Sequence, residues 1–459
     1  MAPLHQSVSF QLLSLLSLAP HSWASIYEDY TFNPLQHLGR VSLYFEPRDV
    51  QPSSPLVPQG CTVTRAALLS RHGAINVNDD DFYDWIQPFL AKFQNHTGTD
   101  WSSIPSMSFL ADYKSPLTLD TEVELLTKIG ELEATELAHN FALRYPGLKT
   151  PSKVWGSSLP RTYDSARAFA RGLQTDDHPI EVVRVNEGKH DGANNLVPYR
   201  ACPEYREPGI DIAEPFRERF VKPIKARFNA MAPEYNFTTT DIVGMMLLCG
   251  YESSIQGFSP FCSLDLFAPD DWLGWEYTDD IRYNYDVGYG NYVSGPSGFP
   301  WVNATMNLLF AETADQDMYA SFSHRTLPTM AMVVLGLFNN TAFVGSGPGV
   351  NESLPVDRIN PHRAWRTSNI SPCLGNMVIE KLACQGSYGF DDGEYYRVLV
   401  NNAPQAIPNC EDGPGASCSR SGFEDLLEEK AERYYGFSKW CQVDYDNSTD
   451  ILTFYQHYP

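Results

Sequence analysis

Arg71-His72-Gly73 closes an apolar run of this 459-residue chain, Arg161 follows a second run, and His324 follows a third. These residue types suit anion chemistry. A guanidinium is a rigid fork of donors that can hold two oxygens of a phosphate. A neutral imidazole nitrogen beside it can attack phosphorus and carry the phosphoryl group as a covalent phosphohistidine. Further cations at equivalent points complete an electrophilic cradle for the transferring group. Gly73 lets backbone approach closely. Arg-His-Gly alone is a three-residue match, and a solitary histidine is more often structural. The order of three basic points, with long inserts between them, gives the pattern its weight.

The elements that must position these residues share one grammar: an apolar β-type run, a turn, a helix. Residues 62–70 (TVTRAALLS) form the first run, and a helix is expected to start near Asn78 to Asp80, whose side chains suit an N-cap. Its apolar face would use Phe82, Trp85, Ile86 and Phe89. Lys153–Ser157 is the second run, followed by a helix over about 162–173. Met318–Ser323 is the third, followed by a helix through Met330, Val333 and Leu337. Such units predict an α/β fold with a parallel-rich central sheet flanked by helices, in which ligands bind outside the carboxyl ends of the strands. A helix is expected over 126–144, an inserted, mostly helical cap over 205–300, a hairpin over 394–407 and a charged, solvated helix over 424–435. Gly345 to Gly349 (GSGPG) lacks the Lys-Ser/Thr of a phosphate loop and reads as a turn.

Composition narrows the class. Hydrophobic residues are 43% and aromatics 13%, the reverse of a disordered composition. The formal net charge of −23 makes nucleic acid a poor partner, although a local basic site can sit on an acidic surface. Residues 1–24 read as a secretory signal, with an apolar run over 10–18 and Ser22-Trp23-Ala24 as a cleavage site. That run is too short to span a membrane, so no span is expected after cleavage. Residues 25–60 read as an extended lead-in. Seven N-x-S/T sequons, at Asn95, Asn236, Asn303, Asn339, Asn351, Asn369 and Asn447, predict a glycosylated, secreted or lumenal protein. The nine cysteines lack metal-site spacing, so no metal or other cofactor is expected. They read as disulfides with one left over, and Cys249–Cys262 and Cys410–Cys418 suggest themselves as short-range pairs.

An ordered set of motifs resembles one family. LLSRHGA (68–74), LTKIGELE (126–133), the Ser157-Ser158 stretch ending at Arg161, ASFSH (320–324) and RVLVN (397–401) are similar to the histidine acid phosphatases, the branch that includes fungal phytases and secreted acid phosphatases. The resemblance runs from about Gln59 to Cys441. It implies a large α/β domain (61–77, 146–204 and 301–459), a helical cap (78–145 and 205–300) and a cleft between them. It also implies the disulfides Cys61–Cys384, Cys202–Cys441, Cys249–Cys262 and Cys410–Cys418, with Cys373 unpaired. By matching position it makes His72 the nucleophile and gives Arg71, Arg161 and His324 the phosphoryl group, from a small-molecule phosphate monoester.

Two departures qualify this. The family motif RHGxRxP has Ile75 where its second arginine stands and Val77 for its proline. The family's His-Asp pair is His324-Arg325, and arginine cannot replace the aspartate as general acid because it does not deprotonate. One lost charge-stabilising donor costs roughly 10²–10³ in rate and a lost general acid roughly 10²–10⁴. Uncompensated and additive, these make about 10⁴–10⁷. Slow or altered phosphomonoester hydrolysis is therefore expected, with Arg325 restoring charge and Asp79, Asp80, Asp81 or another cap carboxylate as acid, or with a substrate whose leaving group needs no acid. The alternative is a repurposed fold, a non-hydrolytic isomerase or cyclase or a ligand-binding pseudoenzyme, acting on a less charged substrate. Phytate is not expected, because few basic groups can be placed around the cleft from sequence. A lectin-like reading would have the aromatics of 272–301 stack on sugars, although such rings are more often core.

Overall fold

The computed structural model describes residues 32–47, 54–340 and 353–456. The first strand, β1 (Cys61–Arg71), is buried almost throughout, and its alternate side chains enter two different cores. Ala66 and Leu68 join one cluster, Ala67 and Leu69 the other. That is the mark of a strand covered on both faces. The remaining strands are β2 (Lys153–Ser157), β3 (Glu181–Val185), β4 (Met318–Ser323), β5 (Asn376–Cys384), β6 (Gly393–Val400), β7 (Ala403–Gln405) and the short β8 (Cys418–Ser419). Their order is β3-β2-β4-β1-β5-β6-β7, with β8 on β6. The first four are parallel, and pairing turns antiparallel from β1 to β5 onward.

The main helices are α1 (Gln87–Asn95), α2 (Lys128–Arg144), α3 (Pro160–Leu173), α4 (Gly209–Met231), α5 (Thr239–Gln256), α6 (Pro269–Asp286), α7 (Ser294–Phe310), α8 (Thr326–Val334) and α9 (Arg420–Tyr434). One sheet face packs on α2 and α3 through Ala134, Phe141, Ala166 and Phe169, and the other on α7, α8 and α9 through Trp301, Met306, Leu327 and Phe423. The α/β class and the parallel-rich sheet are as expected. Helix α7 runs unbroken through position 300.

Parallel register sets the geometry of the site. Arg71 pairs with Ser323, and Ser70 and Gly156 both pair with Phe322, so β1, β2 and β4 end at one edge. Just beyond β1 the chain is clamped against α2. A Cβ at Gly73 would lie 2.6 Å from the Gly130 carbonyl oxygen, and a Cβ at Gly130 would strike Ala74. The close approach expected of Gly73 is thus to α2. The LTKIGELE segment supplies the clamp: Thr127 caps α2 by accepting from the Gly130 N–H (3.0 Å) and donates through its hydroxyl to the Ala74 carbonyl (3.1 Å). From α3, the Ser165 hydroxyl accepts the Gly73 N–H at 2.9 Å.

Local differences have physical causes. The helix after Arg71-His72-Gly73 starts at Asp79, but the Asn78 side chain donates to Glu124 instead of capping, and a π-turn (Phe82–Ile86) precedes α1. Helix α8 stops at Val334, because Gly336 adopts φ +77, and Leu337 lies beyond it. Strand β3 was not foreseen. In the hairpin, Asn401 and Asn402 take positive φ between β6 and β7. Trp272 and Trp275 are buried, which removes them as sugar-stacking rings. All four disulfides implied by the resemblance are formed, and Cys373 is free and buried. The sequons at Asn95, Asn236, Asn339 and Asn447 are exposed, and those at Asn303 and Asn369 half-buried. Asn351, residues 1–24 and the 345–349 turn lie outside the described residues. No described helix is long and apolar enough to cross a membrane.

Gly130→Ala should lower stability by about 1–3 kcal/mol through overpacking and displace the loop bearing His72. Urea unfolding checks this. An unchanged midpoint would show that the contact is not tight.

Candidate active site

His72 sits one residue past β1. Its N–H donates to the Ser323 carbonyl (2.9 Å) and its own carbonyl accepts from Leu374 (3.0 Å), so the backbone is tied to both neighbouring segments. The imidazole Nδ1 lies 2.8 Å from the Gly73 carbonyl. A carbonyl only accepts, so Nδ1 carries the proton and Nε2 keeps the lone pair. Burial, then Arg71, Arg161 and His324, push the His72 pKa well below the usual imidazole value, and the ring is neutral.

The two arginines hold their partners incompletely. Arg71 donates through Nη1 to the carbonyls of Arg40 (2.7 Å) and Ser371 (2.8 Å), and Arg161 through Nη1 to Glu124 (2.8 Å). The Nε of each is buried without an acceptor. Buried guanidinium N–H groups left unmet are costly, and an oxyanion entering the space before them satisfies them.

His324 follows β4, with its ring centre 5.8 Å from that of His72, edge to face. Its Nε2 is 3.1 Å from Glu187 Oε1. Glu187 also accepts from the Ser157 hydroxyl and, at 2.6 Å, from Arg200. Burial pushes the Glu187 carboxyl up, but His324, Ser157 and Arg200 together hold it at about 2. Burial lowers His324 to about 4, aided by Arg161 and opposed by Glu187.

All four expected residues, His72, Arg71, Arg161 and His324, border one cavity of about 630 Å³. Both altered positions border it too. Ile75 is buried, and its carbonyl accepts from Ser254 (2.8 Å). Arg325 lies 4.8 Å over the Tyr283 ring, with no carboxylate partner among the described residues. Six arginines border the cavity, more than the spacing of motifs revealed. Three of them face carboxylates: Arg40 binds Asp81 and Asp279, Arg161 binds Glu124, and Arg200 binds Glu187. Free Cys373 is also in the wall.

Of the carboxylates expected as acid, Asp79 reaches the cavity. Asp81 is held by Arg40 and by the Tyr251 hydroxyl (2.5 Å), and although burial opposes it Arg40 keeps it ionised, so it has no proton to give. Asp80 is not in the wall. Sequence reading missed Glu187, Glu124 and Arg40. The alternation of Glu181–Val185, with Val183 and Val185 buried, was the available signal for a fourth strand end and hence for Glu187. Arg40 comes from the lead-in, where nothing local marks it. Among the described residues one cluster has metal-ligating spacing, Cys410, Asp412 and Cys418, and its two cysteines are joined in a disulfide.

The model of the histidine phosphatase superfamily (branch 2) matches residues 62–401, and the chain belongs to that family. It is 29% identical over 424 residues to an acid phosphatase of Komagataella pastoris, covering 87% of this chain and 85% of the relative. It is 28% identical over 441 residues to a phytase of Candida albicans, covering 93% and 90%. The fold matches that of the D. castellii phytase with a TM-score of 0.80 at 24% identity, over 94% and 91% of the two chains. The family is one of phosphatases, which act on small phosphate-ester substrates.

Both imidazoles lie below their unfolded value of 6.5, so the unfolded chain takes up protons first as pH falls. Their contribution is complete above 6.5, and His324's is lost progressively down to about 4. The decline in stability over that window should be shallower in His324→Asn than in wild type when unfolding is measured at stepped pH. Parallel curves would contradict the assignment.

Proposed function

We propose that this protein is a secretory-pathway phosphomonoester hydrolase that works through a phosphohistidine on His72. The observation that carries the proposal is the meeting of a neutral, Nδ1-anchored imidazole with the unsatisfied Arg71 and Arg161 guanidiniums at one cavity. In this reading His72 Nε2 attacks phosphorus, Arg71 and Arg161 hold the phosphoryl oxygens, and Arg325 supplies the charge absent at Ile75. Segments 78–127 and 205–293 act as the cap over this cleft, since α2 and α7, which the expected bounds of 145 and 300 assign to or cut at the cap, pack on the sheet. The signal-like residues 1–24, the sequons and four disulfides support passage through an oxidising compartment. Turnover is slow, because neither Ile75 nor Arg325 does the work of the residue it replaces.

Purified protein is expected to hydrolyse p-nitrophenyl phosphate near pH 5, and His72→Ala to reduce that to background. Equal turnover by the two proteins would sink the proposal. The combined Ile75→Arg and Arg325→Asp variant, which restores the family pair, should gain about 10²-fold or more in kcat. A loss instead would mean that Arg325 is integral and the enzyme is not slow for the reason given.

The apolar Ile75 in the cavity wall favours a second reading: a repurposed site for a less charged ligand, non-hydrolytic or purely binding. Wild type inert toward aryl and alkyl phosphates, and unable to bind inorganic phosphate in calorimetry, would support it over the first.

A further inference from the structure

With arginine after His324, the leaving oxygen lacks the family's proton donor. The carboxylates nearby are poor replacements. Asp81 is locked to Arg40 and Glu124 to Arg161. Asp79 and Glu207 border the cavity but bond to none of the four cradle residues. Building on the phosphohistidine reading, we infer that the Glu187–His324 pair is the proton donor and acceptor of the reaction, with His324 Nδ1 as the exchanging atom and Glu187 as a positioning residue.

The geometry assigns the atoms. The ionised Glu187 carboxylate can only accept, so His324 Nε2 carries a proton in every state of the ring. Protonation and deprotonation therefore occur at Nδ1. Glu187 is itself fixed from three directions, by Ser157 at the end of β2, by the Leu159 N–H (3.3 Å) and by Arg200. That fixes the ring as well, as an orienting carboxylate does for a catalytic base. The charged groups acting on His324 are Glu187 past β3, Arg161 on α3 and Arg200 on the turn at 198–201. His72 faces it from the end of β1. With ring centres 5.8 Å apart, oxygens of a phosphoryl group on His72 fall within reach of His324. Burial and Arg161 lower the His324 pKa to about 4, which makes the imidazolium a ready donor, and an anionic ester favours its formation.

The steps balance. His72 Nε2 donates its lone pair to phosphorus, and the ester P–O bond breaks. The departing oxygen takes the bond pair and the Nδ1 proton, leaving His324 neutral. Water then attacks the phosphohistidine while His324 Nδ1 accepts a proton from it. The P–N bond pair returns to His72 Nε2, inorganic phosphate leaves, and His324 is again protonated.

The test compares kcat/KM for p-nitrophenyl phosphate, whose leaving group needs little help, with that for glycerol 2-phosphate, whose alkoxide needs a proton. His324→Asn should cost about 10²–10⁴ on glycerol 2-phosphate and at least tenfold less on the aryl ester. Glu187→Gln should act in the same sense, more weakly, and move the acidic limb of the pH profile, with partial recovery in Glu187→Asp. If His324→Asn does not fold, the Glu187→Gln ratio and pH limb decide. Equal losses on both substrates would reduce the pair to phosphoryl binding and overturn the inference. So would a leaving-group-dependent loss found instead in Asp79→Asn or Glu207→Gln. Either leaves the phosphohistidine standing if wild-type turnover still depends on His72, whereas no such dependence overturns both.

Discussion

The parallel pairing of β1 with β4 is the constraint on which the site depends. It sets Arg71 against Ser323 and delivers His72 and His324 side by side where both strands end. Parallel strands need long crossovers, and this chain spends residues 72–317 making the connection, returning through β2 and α3 to place Arg161 at the same edge. Helices on both faces bury the sheet, so the strand ends open into one shared hollow. There, burial and neighbouring guanidiniums keep an imidazole neutral and nucleophilic.

The chemistry-bearing strand ends were legible because each lies in sequence directly after an apolar run. Lys153–Ser157 and Met318–Ser323 appear with the bounds expected of them. What escaped was whatever depends on tertiary approach. Arg40, from a Pro- and Ser-rich lead-in, reaches the cavity wall because Asp81 and Asp279 draw its guanidinium inward and Arg71 donates to its carbonyl. Glu124 reaches Arg161 from a loop that no periodicity describes. Glu187 follows a strand no shorter than β2, but Glu181 and Arg184 break up its apolar run. Motif LTKIGELE carries the family resemblance, and its physical role as the Thr127 and Gly130 clamp on the loop bearing His72 emerges only in three dimensions.

Charge placement reconciles an acidic chain with anion chemistry. The net charge is −23, yet arginines gather around one hollow, half of them neutralised by carboxylates at its edge or behind it. Arg71, Arg206 and Arg325 have no carboxylate partner among the described residues, and Arg161 keeps a buried Nε without an acceptor beside its Glu124 contact. Ile75 in place of an arginine removes one positive charge and Arg325 in place of an aspartate adds two, so relative to the family motif the wall gains positive charge rather than losing it.

The central claim is that His72 Nε2 becomes covalently phosphorylated. Acid-sensitive, alkali-stable label from ³²P-labelled p-nitrophenyl phosphate, trapped by rapid alkaline quench and located by peptide mapping, tests it most directly. The account predicts label on the peptide bearing His72, approaching one per chain, and none in His72→Ala. Turnover with no trapped label, or label on another residue, would contradict it.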